Sequence, residues 1–268
     1  MDPLHAAVLG ALQGLTEVLP ISSSAHLILV PRFLGWPESG LTFDVALHVG
    51  TLLALLVYFR SDIVALVGSF VRVVTGKGDG ADRLPLYLIA GTVPAAVVGK
   101  LLEDPIEELF RRSPILIALF LIAFGLLLAA ADRFGAKRRE MARIGLKEAL
   151  VIGLAQCLAL VPGVSRSGIT ITAALFQGFT REAAARFSFL LSLPIVAGAG
   201  ILKMAHLAQH GVPAGEGLSL AIGVVTSAVF GYLSVALLLK LVQRHSLAPF
   251  VWYRLAAGCA FLVLLTTG

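Results

Sequence analysis

Val161-Pro-Gly-Val-Ser-Arg-Ser-Gly-Ile-Thr170 is a polar interruption between two strongly apolar runs, Ala149–Leu160 and Ile169–Phe179. It sets Arg166 between Ser165 and Ser167, directly after Pro162-Gly163. A charged side chain inside a bilayer is costly and marks a ligand or ion site. Proline and glycine break a helix and free backbone N–H groups that can face an anion. A guanidinium, two hydroxyls and free N–H groups at one helix break suit a phosphate. A snorkelling arginine on a kinked helix would account for Arg166 but not for the serines beside it. The expected phosphate-binding set in this stretch is therefore Gly163, Ser165, Ser167 and Thr170, anchored by Arg166.

The chain around this stretch is 268 residues long and 58% hydrophobic, with a mean hydropathy of +0.92. Soluble domains run at about 45–50% apolar, so this is an integral membrane protein. Its net charge of +5 comes from loop Lys and Arg. No basic stripe is interleaved with stacking aromatics, so a nucleic-acid partner is not expected. Cys157 and Cys259 sit in apolar runs without metal-ligand spacing, which argues against a disulfide framework or a zinc site. There is no P-loop, dinucleotide fingerprint or HExxH motif. Met1-Asp2-Pro3 lacks the positive region of a cleaved signal peptide, and the N-terminus is expected to be retained.

A helical span needs ~20 apolar residues. Leu4–Val18 is too short, carries Gln13 and Glu17, and breaks at Pro20. After Pro20-Ile-Ser-Ser-Ser24 comes a second short run, Ala25–Leu34, containing His26. Two half-length segments around a polar break predict a re-entrant hairpin, since irregular backbone at membrane depth is tolerated only where it lines a protein cavity. Leu41–Phe59, Leu84–Leu102 and Pro114–Ala131 are long enough to span. Ser61–Gly80 reads as a cytoplasmic-side helix and loop, and Glu103–Arg112 as an acidic connection.

The second half repeats the plan. A shift of 143 residues lays Gly10, Gln13 and Leu15 on Gly153, Gln156 and Leu158, and Ser22 and Ser24 on Ser165 and Ser167. With a one-residue gap, Phe43–Gly50 falls on Phe187–Pro194, and a further gap aligns Gly91 and Gly99 with Gly223 and Gly231. The later spans are Phe187–Leu207, Leu218–Val242 and Pro249–Thr266. The expected fold is an all-α membrane protein in one domain: repeat 1 over 1–131, a basic linker over 132–147, and repeat 2 over 148–268. Each half is a re-entrant hairpin plus three transmembrane helices. Three spans is an odd number, so the halves form an inverted-topology repeat, and such folds place their site at the midplane where broken helices meet. On this topology fourteen of the 21 Lys and Arg lie on the side of the linker, which the positive-inside rule makes cytoplasmic. Both termini then face outward.

The meeting point gathers Gln13, Glu17, Ser22, Ser23, Ser24 and His26 against Ser165, Arg166 and Ser167, with Ser22 and Ser24 joining the expected phosphate-binding set. Gln13 and Glu17 are four apart and share a helix face. Glu17 needs a cation beside it to stay ionised at depth, either Arg166 or a divalent ion. His26 and Ser23 share a face if the chain is helical from the break onward. This makes His26 the expected central base or nucleophile, assisted by Glu17, with Ser23 binding phosphate or attacking. Asp44 and His48, also four apart, are expected to hydrogen-bond to these residues from behind. His5, His206, His210 and His245 lie at segment ends and read as interfacial.

Gln13-Gly-Leu-Thr-Glu17-Val-Leu-Pro-Ile-Ser-Ser-Ser24-Ala-His26 together with Pro162-Gly-Val-Ser-Arg166-Ser-Gly-Ile-Thr170 resembles the undecaprenyl-diphosphate phosphatases, a group that includes bacterial bacitracin-resistance proteins. The two motifs occur in the right order, and the length and hydropathy plan fit end to end. The resemblance implies hydrolysis of a polyprenyl diphosphate to the monophosphate carrier and inorganic phosphate, for cell-wall synthesis. It implies a bacterial plasma-membrane setting with the site open to the periplasmic face, and a divalent cation, Mg²⁺ or Ca²⁺. Carried over by position, Gln13 and Glu17 are the expected metal residues, Ser23 and His26 the serine and histidine, and Arg166 the arginine. Gln13 is the neutral alternative at its position, and Ser24-Ala25 stands where other members carry Thr-Gly. A homodimer is compatible with this reading, although the sequence does not fix the oligomeric state. The rival reading is a lipid-phosphate transporter or flippase built on the same midplane site, because inverted repeats with broken helices recur in transporters.

Overall fold

The computed structural model describes residues 2–37, 40–210 and 216–267. These residues form eleven α-helices, with three short 3-10 turns and a single isolated bridge between Arg139 and Phe179. The first short pair is α1 (Pro3–Val18) and α2 (Ser23–Leu34). After it come α3 (Leu41–Tyr58), α4 (Arg60–Val74), α5 (Leu84–Arg111) and α6 (Pro114–Phe134). The second short pair is α7 (Leu146–Gln156) and α8 (Arg166–Phe176), followed by α9 (Arg181–His210), α10 (Gly217–Arg244) and α11 (Ala248–Thr267).

Local chemistry sets the ends of the first pair. The Asp2 carboxylate accepts from the Leu4 N–H at 2.7 Å and Pro3 occupies the first turn, a favoured helix start. Pro20 stops α1, since the residue before a proline is pushed out of the helical region. Gly35 ends α2 in the left-handed conformation, φ 65°. In the second pair, α7 tightens into a 3-10 turn, Cys157–Leu160, before Pro162-Gly163.

Among the described residues, four segments are long and apolar enough to cross a membrane: Leu84–Leu102 within α5, and α6, α10 and α11. A fifth is formed if α3 and α4, bent by 77° at Phe59, are taken as one. The chain is thus a multi-pass membrane protein. The expected span Phe187–Leu207 lies within the 30-residue α9. The side chains of His206 and His210 fall outside the described residues. One expectation is corrected: Glu103–Arg112 is not a loop, because α5 runs unbroken to Arg111. Charged residues end the apolar stretch but not the helix, and Glu108 and Arg112 pair across one turn.

Two close crossings organise the packing. A Cβ on Gly10 of α1 would lie 2.6 Å from the Gly223 carbonyl oxygen of α10. A Cβ on Gly153 of α7 would lie 2.0 Å from the Gly91 carbonyl oxygen of α5. Backbones approach this closely in membrane proteins only where side chains are very small. Each short pair therefore rests on a long helix from the opposite half of the chain. Between them lies an apolar core that includes Val18, Phe59, Ile152, Phe187, Phe189 and Leu238.

The linker is held down as well. The N–H groups of Arg138 and Arg139 both donate to the Gly178 carbonyl, and the Arg139 guanidinium donates to Glu148 at 2.8 Å. Asp132, buried at the end of α6, accepts from Arg181 and from the Leu247 N–H, joining α6 to α9 and α11.

Candidate active site

The two breaks face each other and share an unusual backbone. Ser22 takes φ 74° and Ser165 φ 73°, and these are two of three non-glycine residues at positive φ among the described residues. Such conformations cost about 1–3 kcal/mol each and persist only where the surroundings enforce them. Hydrogen bonds between the breaks do so here. The Gly163 N–H donates to Ser22 Oγ at 3.1 Å, and Ser167 Oγ donates to the Leu19 carbonyl at 3.1 Å. Ser165 Oγ accepts from the Gly168 N–H at 3.1 Å and caps α8. Thr170 shares a hydrogen bond with Ser188 at 2.7 Å. Ser22, Ser165, Ser167 and Thr170 are all buried, and their hydroxyls bond within the protein at the two breaks. Ser24 lies 3.3 Å from Ser22, hydroxyl to hydroxyl.

The residues with open valences sit at the centre. Glu17, on the last turn of α1, accepts from Ser23 Oγ at 2.6 Å and Gln13 Nε2 at 3.3 Å through Oε2. Its Oε1 accepts from Arg166 Nη2 at 3.1 Å, joining the first break to the second. His48 Nε2 stands 3.7 Å from Glu17 Oε2, on a side chain that is 42% exposed. Arg166 Nε and Nη1 are buried and meet no protein acceptor. Gln13 Oε1 is likewise buried without a protein donor. A buried donor left unmatched costs about 1–3 kcal/mol, and Arg166 leaves three N–H groups without a protein acceptor.

His26 is placed differently from expectation. It is buried, and Nδ1 lies 2.7 Å from the Ser22 carbonyl, so Nδ1–H donates. Nε2 lies 2.7 Å from Tyr253 Oη on α11, with the two rings stacked. With Nδ1 protonated, the neutral ring accepts from the tyrosine hydroxyl. The expected His26–Ser23 and His26–Glu17 pairings are not formed; Glu17 lies beside His48 instead. Asp44 meets His48 through its backbone carbonyl, which accepts from His48 Nδ1 at 2.8 Å. Helical spacing does not say which ring nitrogen a neighbouring helix will occupy.

Two residues escaped the sequence reading. Tyr253 and Arg254 both come from α11, and neither was among the expected site residues. Arg254 is fully buried. The available signal was a lone arginine inside the predicted span Pro249–Thr266, the same signal that singled out Arg166.

Fold and site together define a class: a multi-pass membrane protein whose polar chemistry is concentrated where two broken helices meet. Within that class the sequence matches the family described as bacitracin resistance protein BacA over residues 6–260. It is 71% identical to an undecaprenyl-diphosphatase of Geobacter sulfurreducens, over 99% of each chain. Identity is 69% with the protein of that name in Geobacter metallireducens and 51% with the one in Alcanivorax borkumensis, over 99% and 98% of each chain. The chain belongs to the bacitracin resistance protein family.

Proposed function

We propose that this membrane enzyme hydrolyses undecaprenyl diphosphate to undecaprenyl phosphate and inorganic phosphate, returning the lipid carrier to cell-wall synthesis. The observation that carries the proposal is Arg166: one guanidinium nitrogen holds Glu17, while Nε and Nη1 face no protein acceptor. Beside it stands a serine hydroxyl already bonded to that same carboxylate. This arrangement suits phosphoryl transfer, where catalysis consists of positioning and charge stabilisation.

In the proposed mechanism the diphosphate lies against Arg166, its oxygens accepting separately from the Nε and Nη1 N–H groups that have no protein acceptor. Ser23 Oγ attacks phosphorus, and its proton passes to Glu17 Oε2. The bond between phosphorus and the bridging oxygen breaks, and undecaprenyl phosphate leaves with the electron pair. Water then attacks the serine phosphate, one of its protons goes to Ser23 Oγ as that bond breaks, and inorganic phosphate departs. Glu17 finally releases its proton to solvent. A transition state of this loose type demands little basicity, which accords with a carboxylate bound to an arginine.

The donor set bears on the implied cation. Among the described residues no group of three or more His, Cys, Asp or Glu is gathered to hold a metal. Glu17 and the unpartnered Gln13 oxygen are hard oxygen donors, which fit an ion shared with substrate phosphates rather than an all-protein cage. Bound there, Mg²⁺ or Ca²⁺ would neutralise charge on the diphosphate.

We further propose that residues 1–131 and 148–268 form an inverted-topology repeat about the linker 132–147. In this arrangement α1–α2 and α7–α8 are re-entrant hairpins from opposite faces, and the site and both termini are periplasmic. The equal φ of Ser22 and Ser165 supports it, as do the reciprocal crossings of Gly10 on Gly223 and Gly153 on Gly91. The test of function is phosphate release from undecaprenyl diphosphate by purified protein in detergent, where no membrane exists to transport across. Absence of release would defeat the hydrolase reading.

A further inference from the structure

The breaks of α1–α2 and α7–α8 leave backbone carbonyls without helical donors, and buried carbonyls of this kind need partners. For the carbonyls of Pro20, Gly163 and Val164 the partner is one side chain. Arg254 Nε donates to the Leu121 carbonyl of α6 at 3.0 Å. Its Nη1 donates to the Pro20 carbonyl in the first break at 3.2 Å and to the Val164 carbonyl in the second at 3.1 Å. Its Nη2 donates to the Gly163 carbonyl at 2.7 Å and again to Val164 at 3.1 Å. A guanidinium has five N–H donors, and these bonds use all five. None goes to a carboxylate.

Two glycines make room for it. A Cβ on Gly125 of α6 would lie 3.1 Å from Arg254 Cβ, and one on Gly168 of α8 would lie 2.9 Å from Nη1. The anchored carbonyls are close in sequence to the reacting groups. Val164 is two residues before Arg166, and Pro20 is three before Ser23. Only a forked cation reaches both breaks and α6 at once, because a lysine ammonium carries its donors on a single atom.

We propose that Arg254 is a positioning residue for the phosphatase reaction: it fixes the two breaks relative to one another and so sets Ser23 and Glu17 of the first half against Arg166 of the second. The inference rests on the hydrolase reading above. Its consequence is kinetic, since misplacing catalytic groups by about 1 Å can lower turnover ~10²-fold without abolishing binding.

The experiment compares Arg254→Lys and Arg254→Gln with the unaltered protein. Phosphate release from undecaprenyl diphosphate is measured in detergent on the monodisperse fraction, and kcat and KM are separated. Thermal unfolding is followed in parallel. The expected result is a fall in kcat of about tenfold or more with KM within about threefold, on the scale of lost alignment. A smaller fall in kcat per folded molecule, even with a lower unfolding temperature, overturns the proposal and leaves Arg254 as packing. Failure of both variants to give any folded protein also overturns it, because the residue would then act in folding alone. Failure of the unaltered protein to release phosphate would instead strike the hydrolase reading.

Discussion

Ser23 donates its hydroxyl to Glu17 across the first helix break, at 2.6 Å. The bond exists because Pro20 ends α1 and the strained Ser22 starts α2 at once, bringing Ser23 back to the last turn of α1. It places a proton acceptor on the serine and not on the nearby histidine.

Ser23→Ala is therefore expected to abolish most turnover, and Glu17→Gln to lower it ~10²-fold or more, the scale of lost acid–base catalysis. Both variants should keep the unfolding profile of the parent. Phosphate release checks them. Severalfold loss in Ser23→Ala would make the serine a binding group and favour direct attack by water.

Arg166→Lys keeps the charge but loses the fork that holds Glu17 with one nitrogen and faces an anion with two. It is expected to lose most activity, and Arg166→Ala essentially all. Near parental turnover in the lysine variant would exclude bidentate phosphate recognition as a requirement.

For His26, the structure predicts a split between two substitutions. His26→Ala removes the bond to the Ser22 carbonyl and should lower turnover. His26→Asn can place an amide N–H where Nδ1–H stands and should recover a substantial part of it. Equal, complete loss in both would show that the imidazole itself performs the chemistry.

The glycine crossings give a stability prediction. At Gly153 a Cβ would meet backbone, the Gly91 carbonyl, at 2.0 Å. At Gly10 the nearest atom is the Thr226 hydroxyl, a side chain that can turn, with backbone next at 2.6 Å. Gly153→Ala should lower the unfolding temperature more than Gly10→Ala, against an overpacking cost of about 1–3 kcal/mol. Thermal unfolding in detergent orders the two.

Cysteines introduced at the exposed positions Leu4 and Lys147 test the topology. In an inverted repeat they react with a membrane-impermeant thiol reagent from opposite sides, after replacement of the native cysteines. Reaction of both from one side would refute the inversion.

What the sequence determined by itself was the set of elements that composition and spacing control. Apolar run lengths gave the helices, and Pro20 and Pro162-Gly163 gave the breaks. The offset of 143 residues gave the correspondence of Ser22 with Ser165. Glu17, Ser23 and Arg166 were legible because polar groups deep in apolar segments demand partners. The tertiary structure alone decided which partners those are. Glu17 and Arg166 meet across 149 positions of chain, and His26 meets Tyr253 across 227. Helical periodicity ranks faces within one helix, whereas hydrogen bonds between helices depend on how they cross. Arg254 shows the difference most clearly: its place inside the span Pro249–Thr266 calls for partners, and only the packing of α6, α11 and both breaks makes it a buried five-donor anchor.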